Sequence, residues 1–281
     1  IKLKYLTSVL LLQTTLLSDD LNDLLNTINK ISEETKINNT YIPSSLTILY
    51  GRDLELLGIN YLYEALDIVP GMETMDNSSY SNIVAVRGNA SILNPTREKI
   101  QYFINGQDFA ENYLSNFPIS LIERIEIQKG ASITGYGKKG FVATINIVTK
   151  QNTSFDNEVN FSVGSFNQKG GTALFNDKIN DWDVSVDTYY IKHNKKVDAP
   201  TGQFLELTSL GFPSVDRKKE SLEGVKEKAI GLNFKNDNWN LGFRHIDKKD
   251  QNHYGFLGFL DSNEEAYTKF KITSAQVSYN N

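Results

Sequence analysis

Cysteine is absent from the 281 residues, so neither a disulfide framework nor a thiolate metal site can form. Histidine is sparse. His193, His245 and His253 are scattered without ligand spacing, and no metal site is expected. No block of Lys and Arg offers a phosphate-tracking surface, and the formal charge is -5, which argues against nucleic acid as a partner. Long hydrophobic runs are also missing. The apolar stretch from Tyr5 to Leu17 is too short for a membrane-spanning helix, which takes about 20 residues. If such a chain enters a membrane it must do so as a closed barrel, because only there are backbone polar groups paired without water. No Ser-His-Asp order, paired-carboxylate spacing or phosphate loop is found, so no catalytic residue and no cofactor are expected.

Aromatic residues are plentiful, with 14 Tyr and 15 Phe, and lean the chain towards β structure. Lys2 and Lys4 precede the apolar run from Tyr5, which reads as a signal peptide over residues 1–18, with a buried amphipathic helix as the alternative. Residues 19–42 form a polar leader. From Ser45 the text becomes strand-like, SLTILYG, and is followed by RDLELLGINYLYEALDIVPG. There Leu54, Leu57, Leu62, Leu66 and Val69 can share a helical face that Gly58 interrupts and Pro70-Gly71 stops. Strands are expected at 82–88, 99–106, 121–130 and 144–150, giving a small α+β domain.

After Lys150 six period-2 segments follow. In DWDVSVDTYYIKH, Trp182, Val184, Val186 and Tyr190 fall opposite Asp183, Ser185 and Asp187. In NWNLGFRHIDK, Trp239, Leu241 and Phe243 oppose Asn240, Gly242 and Arg244. Such dyads mark outer-membrane barrel strands, although a soluble sandwich alternates in a similar way. The connections run very short (165–168), short (176–181), long (193–226), short (236–238) and long (249–265); in a barrel the second and fourth would be periplasmic turns and the two long ones external loops.

The phrases YEALDIVPGMET, IVAVRGNAS, YFINGQDF and SLIERIEIQKGASITGYGKKGFVATINIVTK resemble, in order and spacing, the plug domain of TonB-dependent outer-membrane receptors. The resemblance implies a plug over 43–150, an α+β mixed sheet with short helices. The first six or so antiparallel strands of a transmembrane β-barrel then occupy 151–281, with the barrel incomplete in this chain. It implies export to the Gram-negative outer membrane and energised uptake of a scarce nutrient, a ferric siderophore by default, with vitamin B12 or haem as alternatives. The implied partners are TonB with its inner-membrane complex, outer-membrane lipid and the small-molecule ligand. The leader is where a TonB-contacting segment would lie, but none is legible. A secreted α+β binding protein with a sandwich tail is the reading from a different class.

The resemblance also implies that Arg87, Glu123 and Arg124 lock the plug to the barrel wall. Tyr80 and Arg97, in polar loops, are candidates for substrate contact, since an aromatic face and a guanidinium suit an anionic or catecholate chelate. Gly71, Gly88, Gly106, Gly130 and Gly137 are expected at turns, with Asn105-Gly106 suited to type I′. Gly135 to Gly140 match G-x-G-x-x-G, but a β-branched run rather than a helix follows, so no dinucleotide site is expected.

Overall fold

A computed structural model of the chain describes residues 45–75, 83–87, 100–109, 114, 116–130, 142–198, 220–251 and 267–279. The N-terminal domain begins with β1 (Ser45–Tyr50), α1 (Gly51–Leu56) and α2 (Leu62–Asp67). β2 (Met72–Met75), β3 (Ile83–Val86), β4 (Ile100–Ile104) and β5 (Gln107–Phe109) follow. A single 3-10 turn, Ile119–Leu121, leads into β6 (Ile122–Lys129), and β7 (Ala143–Thr149) completes the domain. Its five-stranded sheet runs β1-β6-β7-β4-β5, with β4 and β7 parallel and the other neighbours antiparallel; β2 and β3 pair separately. Ile125, Ile127, Ile145 and Ile147 are fully buried beneath Leu54, Leu62 and Leu66 of the helices. Each such side chain contributes about 1.5–3 kcal/mol of transfer free energy.

The helical stretch is not one helix. It divides at Gly58, whose φ of 77° is left-handed, and Leu57 is 69% exposed rather than on the buried face. The Glu64 carboxylate accepts the backbone N–H groups of Asn60 (2.7 Å) and Tyr61 (3.3 Å), which starts α2 afresh. Gly51 opens α1 instead of merely ending β1: a Cβ there would collide with the Ile122 carbonyl, so only glycine lets strand and helix pack this closely. Asn105 and Gly106 have φ of 51° and 80°, as a type I′ hairpin between β4 and β5 requires. β2 and β5 are short strands that the sequence pattern does not reveal.

The second half is a six-stranded antiparallel wall in sequence order, β8 (Glu158–Gly164), β9 (Gln168–Ile179), β10 (Trp182–Asp198), β11 (Glu220–Lys235), β12 (Trp239–Gln251) and β13 (Tyr267–Tyr279). The connections are 165–167, 180–181, 199–219, 236–238 and 252–266, so the second and fourth are the tight turns expected, while the first is also tight although it lies at the end of the wall that carries the wide intervals. The strands reach further than their apolar dyads: His193, expected at a loop, lies inside β10 opposite Val225. One face of the wall covers the N-terminal domain and buries Asp187, Tyr189, Glu227 and Arg244. The other carries Phe161, Phe175, Ile230, Phe234, Phe243 and Val277 exposed. No helix among the described residues is long and apolar enough to cross a membrane.

Candidate functional site

The N-terminal domain meets the wall through the short segment that ends in Phe117 and Pro118. The Phe117 side chain is fully buried; its ring packs edge-on against Tyr189 of β10 at 5.5 Å, and the Arg244 guanidinium of β12 lies 5.3 Å from its centroid. The Asn116 amide donates to Glu227 of β11 at 3.2 Å. Glu227 also accepts the Tyr189 hydroxyl at 2.6 Å and faces the Lys248 ammonium at 3.9 Å, which in turn lies 3.3 Å from Asp250. Alternation along each strand puts all these groups on the inward face, and the register of β10, β11 and β12 sets them side by side.

Arg244 binds Asp187 with two hydrogen bonds, 2.8 and 2.6 Å, although an entire strand separates them. Gly231 is that strand's residue in the same row, paired with Asp187 on one side and Arg244 on the other. The missing side chain is what allows the pair to close over β11, because a Cβ there would overlap both partners. Three further links flank this centre. The Ser120 and Thr172 hydroxyls are 3.1 Å apart, the Gln168 amide donates to the Tyr61 hydroxyl at 2.9 Å, and Lys150 reaches Glu158 at 3.6 Å. Burial, chiefly, raises the Tyr61 phenol above its usual pKa, which keeps it neutral. A cleft of about 520 Å³ remains between the two halves, lined by Asn60, Tyr61 and Ser120 on one side and Asn160, Gln168 and Thr172 on the other.

Of the charges singled out in the sequence, Glu123 and Arg124 come together and Arg87 does not join them. Arg124 is buried, not on a solvated strand face; it donates to Glu126 at 2.8 Å and to Glu123 at 2.7 Å, and Glu126 also accepts the Asn146 amide. Arg87 is exposed just after β3, with φ of 53°, and its backbone N–H bonds the Gly71 carbonyl. Gly71, Gly106 and Gly130 have positive φ, as turn glycines do. Tyr80, Gly88, Arg97, Gly137 and His253 lie outside the described residues, as does the glycine-rich run 135–140. The strand reading of the residues that follow that run holds, since β7 begins at Ala143.

Asn116, Phe117, Glu227 and Lys248 carry no sequence signal for their role. Asp187 and Arg244 do sit on the polar faces of their dyads, but only the three-strand register reveals that they pair.

Residues 38–144 match the family model described as TonB-dependent Receptor Plug Domain. Among solved structures, the chain is similar to the ferric-catecholate import receptor Fiu from E. coli K12. They share 17% identity and a TM-score of 0.58 over 84% of this chain and 36% of that one. It is also similar to the ferripyoverdine receptor of the outer membrane of Pseudomonas aeruginosa (14%, TM-score 0.53, 84% and 31%). A third is the ferric yersiniabactin uptake receptor FyuA from Yersinia pestis (15%, TM-score 0.50, 78% and 33%). At these identities the likeness is one of fold, and the chain spans about a third of the length of each of those structures.

Proposed function

Starting from a chain that carries the plug domain and the opening barrel strands of a TonB-dependent receptor of the outer membrane, we propose that the full-length receptor imports a ferric siderophore. The family consists of transport receptors, not enzymes. The observation that carries the reading is the way the plug is fastened. Its own sheet closes on an apolar core, and its hold on the wall combines Phe117, packed among inward wall residues such as Leu174, Tyr189 and Ile246, with the polar links from Asn116 to Glu227 and from Ser120 to Thr172. Polar links of this kind can be exchanged for water as the plug shifts, while the plug's core resists being opened.

In this reading TonB pulls from the periplasmic side, the Asn116–Glu227 and Ser120–Thr172 links part, and the cleft beside β8 and β9 widens into a path for the chelate. Ligand contact is assigned to the outward plug loops, with Tyr80 and Arg97 the first side chains to test. Arg124, joined to Glu123 and Glu126, is assigned with Arg87 to locking the plug against the rest of the barrel. The similar receptors import or bind ferric catecholate, ferripyoverdine and ferric yersiniabactin, which favours iron over other cargoes.

The test is uptake of radioactive iron by cells lacking their own siderophore receptors and expressing the full-length gene. Accumulation from at least one ferric siderophore, abolished when TonB is deleted, is the expected result. Uptake of cobalamin or haem with no ferric siderophore accepted would overturn it.

A further inference from the structure

We infer that the β4–β5 turn carries a latent modification site: Asn105 is set to lose its side-chain nitrogen spontaneously, and hydrogen bonds from β7 hold the reaction off while the plug's sheet is formed. Asn105-Gly106 is the one Asn-Gly pair in the 281 residues. In such a pair the backbone nitrogen of the glycine can attack the asparagine Cγ, because glycine brings no side chain to hinder the approach. A bond forms between that nitrogen and Cγ, the bond from Cγ to Nδ2 breaks, and ammonia leaves with the proton given up by the backbone nitrogen. Water then opens the resulting cyclic imide at either carbonyl, giving aspartate or isoaspartate. Nothing is oxidised or reduced, and water is the sole co-reactant. Gly106 is exposed in the turn, so water is at hand.

The turn has the composition for this reaction and the wrong geometry, because each reacting group is tied to a different residue of β7. On the electrophile, Asn105 Oδ1 accepts the Thr149 backbone N–H at 2.9 Å, and Nδ2 donates to the Thr149 hydroxyl at 3.0 Å. On the nucleophile, the Gly106 backbone N–H donates to Asn146 Oδ1 at 3.2 Å, which holds the proton that attack must remove and turns the nitrogen towards β7. The main chain is held as well: the Asn105 N–H bonds the Ile147 carbonyl at 2.8 Å. The two restraining side chains are themselves fixed. Asn146 donates to Glu126 at 2.9 Å, Glu126 is bonded to the buried Arg124, and Thr149 is 1% exposed. These restraints come from 40 and 44 positions further along the chain and depend on the parallel pairing of β4 with β7. Until that sheet forms, the reactive pair is bare.

The two products differ in consequence. Aspartate keeps the acceptor for the Thr149 N–H, and the Thr149 hydroxyl can rotate to donate in its turn. Isoaspartate routes the main chain through the side-chain carbons and so lengthens it within a turn that joins Ile104 directly across to Gln107, where the backbone geometry is tightly specified. The turn also meets the wall: Asn105 and Gln107 face Asn233, Gly242 and Gln276 around a small cavity. Isoaspartate at residue 105 therefore disturbs the hairpin and the seam between plug and wall together.

The experiment incubates purified full-length receptor in mildly alkaline buffer, folded in detergent and unfolded in guanidinium chloride, and follows acid formation at residue 105 by peptide mass spectrometry. The folded receptor should convert on the order of a hundredfold more slowly, since the bonds to Thr149 and Asn146 must be released before attack. Thr149→Val removes the hydroxyl and should speed conversion in the folded receptor about fivefold, whereas Thr149→Ser keeps the hydroxyl and should not. Asn146→Ala frees the Gly106 N–H and should act as Thr149→Val does. Limited proteolysis of the plug at the unaltered rate shows that a variant's sheet is formed. Equal conversion in folded and unfolded receptor, or no acceleration in Thr149→Val and Asn146→Ala variants with the plug intact, would overturn the inference. If both variants lose the plug's fold, the comparison of folded with unfolded receptor decides.

Discussion

At Gly231 a single added methyl group would part Asp187 from Arg244, because the ion pair passes directly over the glycine's missing side chain. Leaving a buried charge without its partner costs about 3–5 kcal/mol. Gly231→Ala is therefore expected to lower the stability of the full-length receptor by about 3 kcal/mol. The readout is the temperature at which folded, fast-migrating barrel is lost on a gel, and Asp187→Asn should give a loss of the same sign. Phe117→Ala removes the buried ring that joins plug to wall. Such truncations cost about 3–5 kcal/mol, and here the loss should appear as faster proteolysis of the plug with the barrel intact. None of this is written locally. Asp187 and Arg244 can be assigned to polar faces from alternation alone, yet 57 positions separate them, and Phe117 lies in a stretch that reads as loop.

Among the elements, those made by local rules were legible. β1, β4, β6 and β7 follow their apolar runs, and the Asn105-Gly106 turn takes the positive φ values that its composition predicts. Replacing Gly106 by Val is expected to destabilise the plug by more than about 1 kcal/mol, since a β-branched residue does not tolerate left-handed φ. Denaturant unfolding measures it. Less legible were the fresh start of α2 beyond Gly58 and the strands β2 and β5, whose four and three residues are too few to show a period and which pair with the strand next to them in sequence. Gly51 was hidden for a different reason, tertiary contact. Its neighbours in sequence suggest a strand end, but the Ile122 backbone approaching from β6 is what excludes a side chain. Gly51→Ala is accordingly expected to displace α1 from the sheet and to reduce folded receptor in the membrane fraction, scored by immunoblot.

For the whole molecule, the division into plug and wall was legible because two grammars meet near Lys150, one irregular and Gly-punctuated, the other strictly alternating. How the two halves touch was not, because the contact joins residues far apart in sequence, such as Asn116 and Glu227 or Ser120 and Thr172. That contact is also where the functional reading is exposed to test, since transport demands that the plug leave this wall or slide along it. The Ser120 and Thr172 hydroxyls are 3.1 Å apart and these residues contain no native cysteine, so S120C/T172C can place two thiols within bonding reach across the interface. In the full-length receptor, iron uptake from the bound siderophore should stop when this pair is oxidised, with ligand binding retained, and should return on reduction. Uptake at the unaltered rate with the disulfide intact would contradict a plug that must part from the β9 wall.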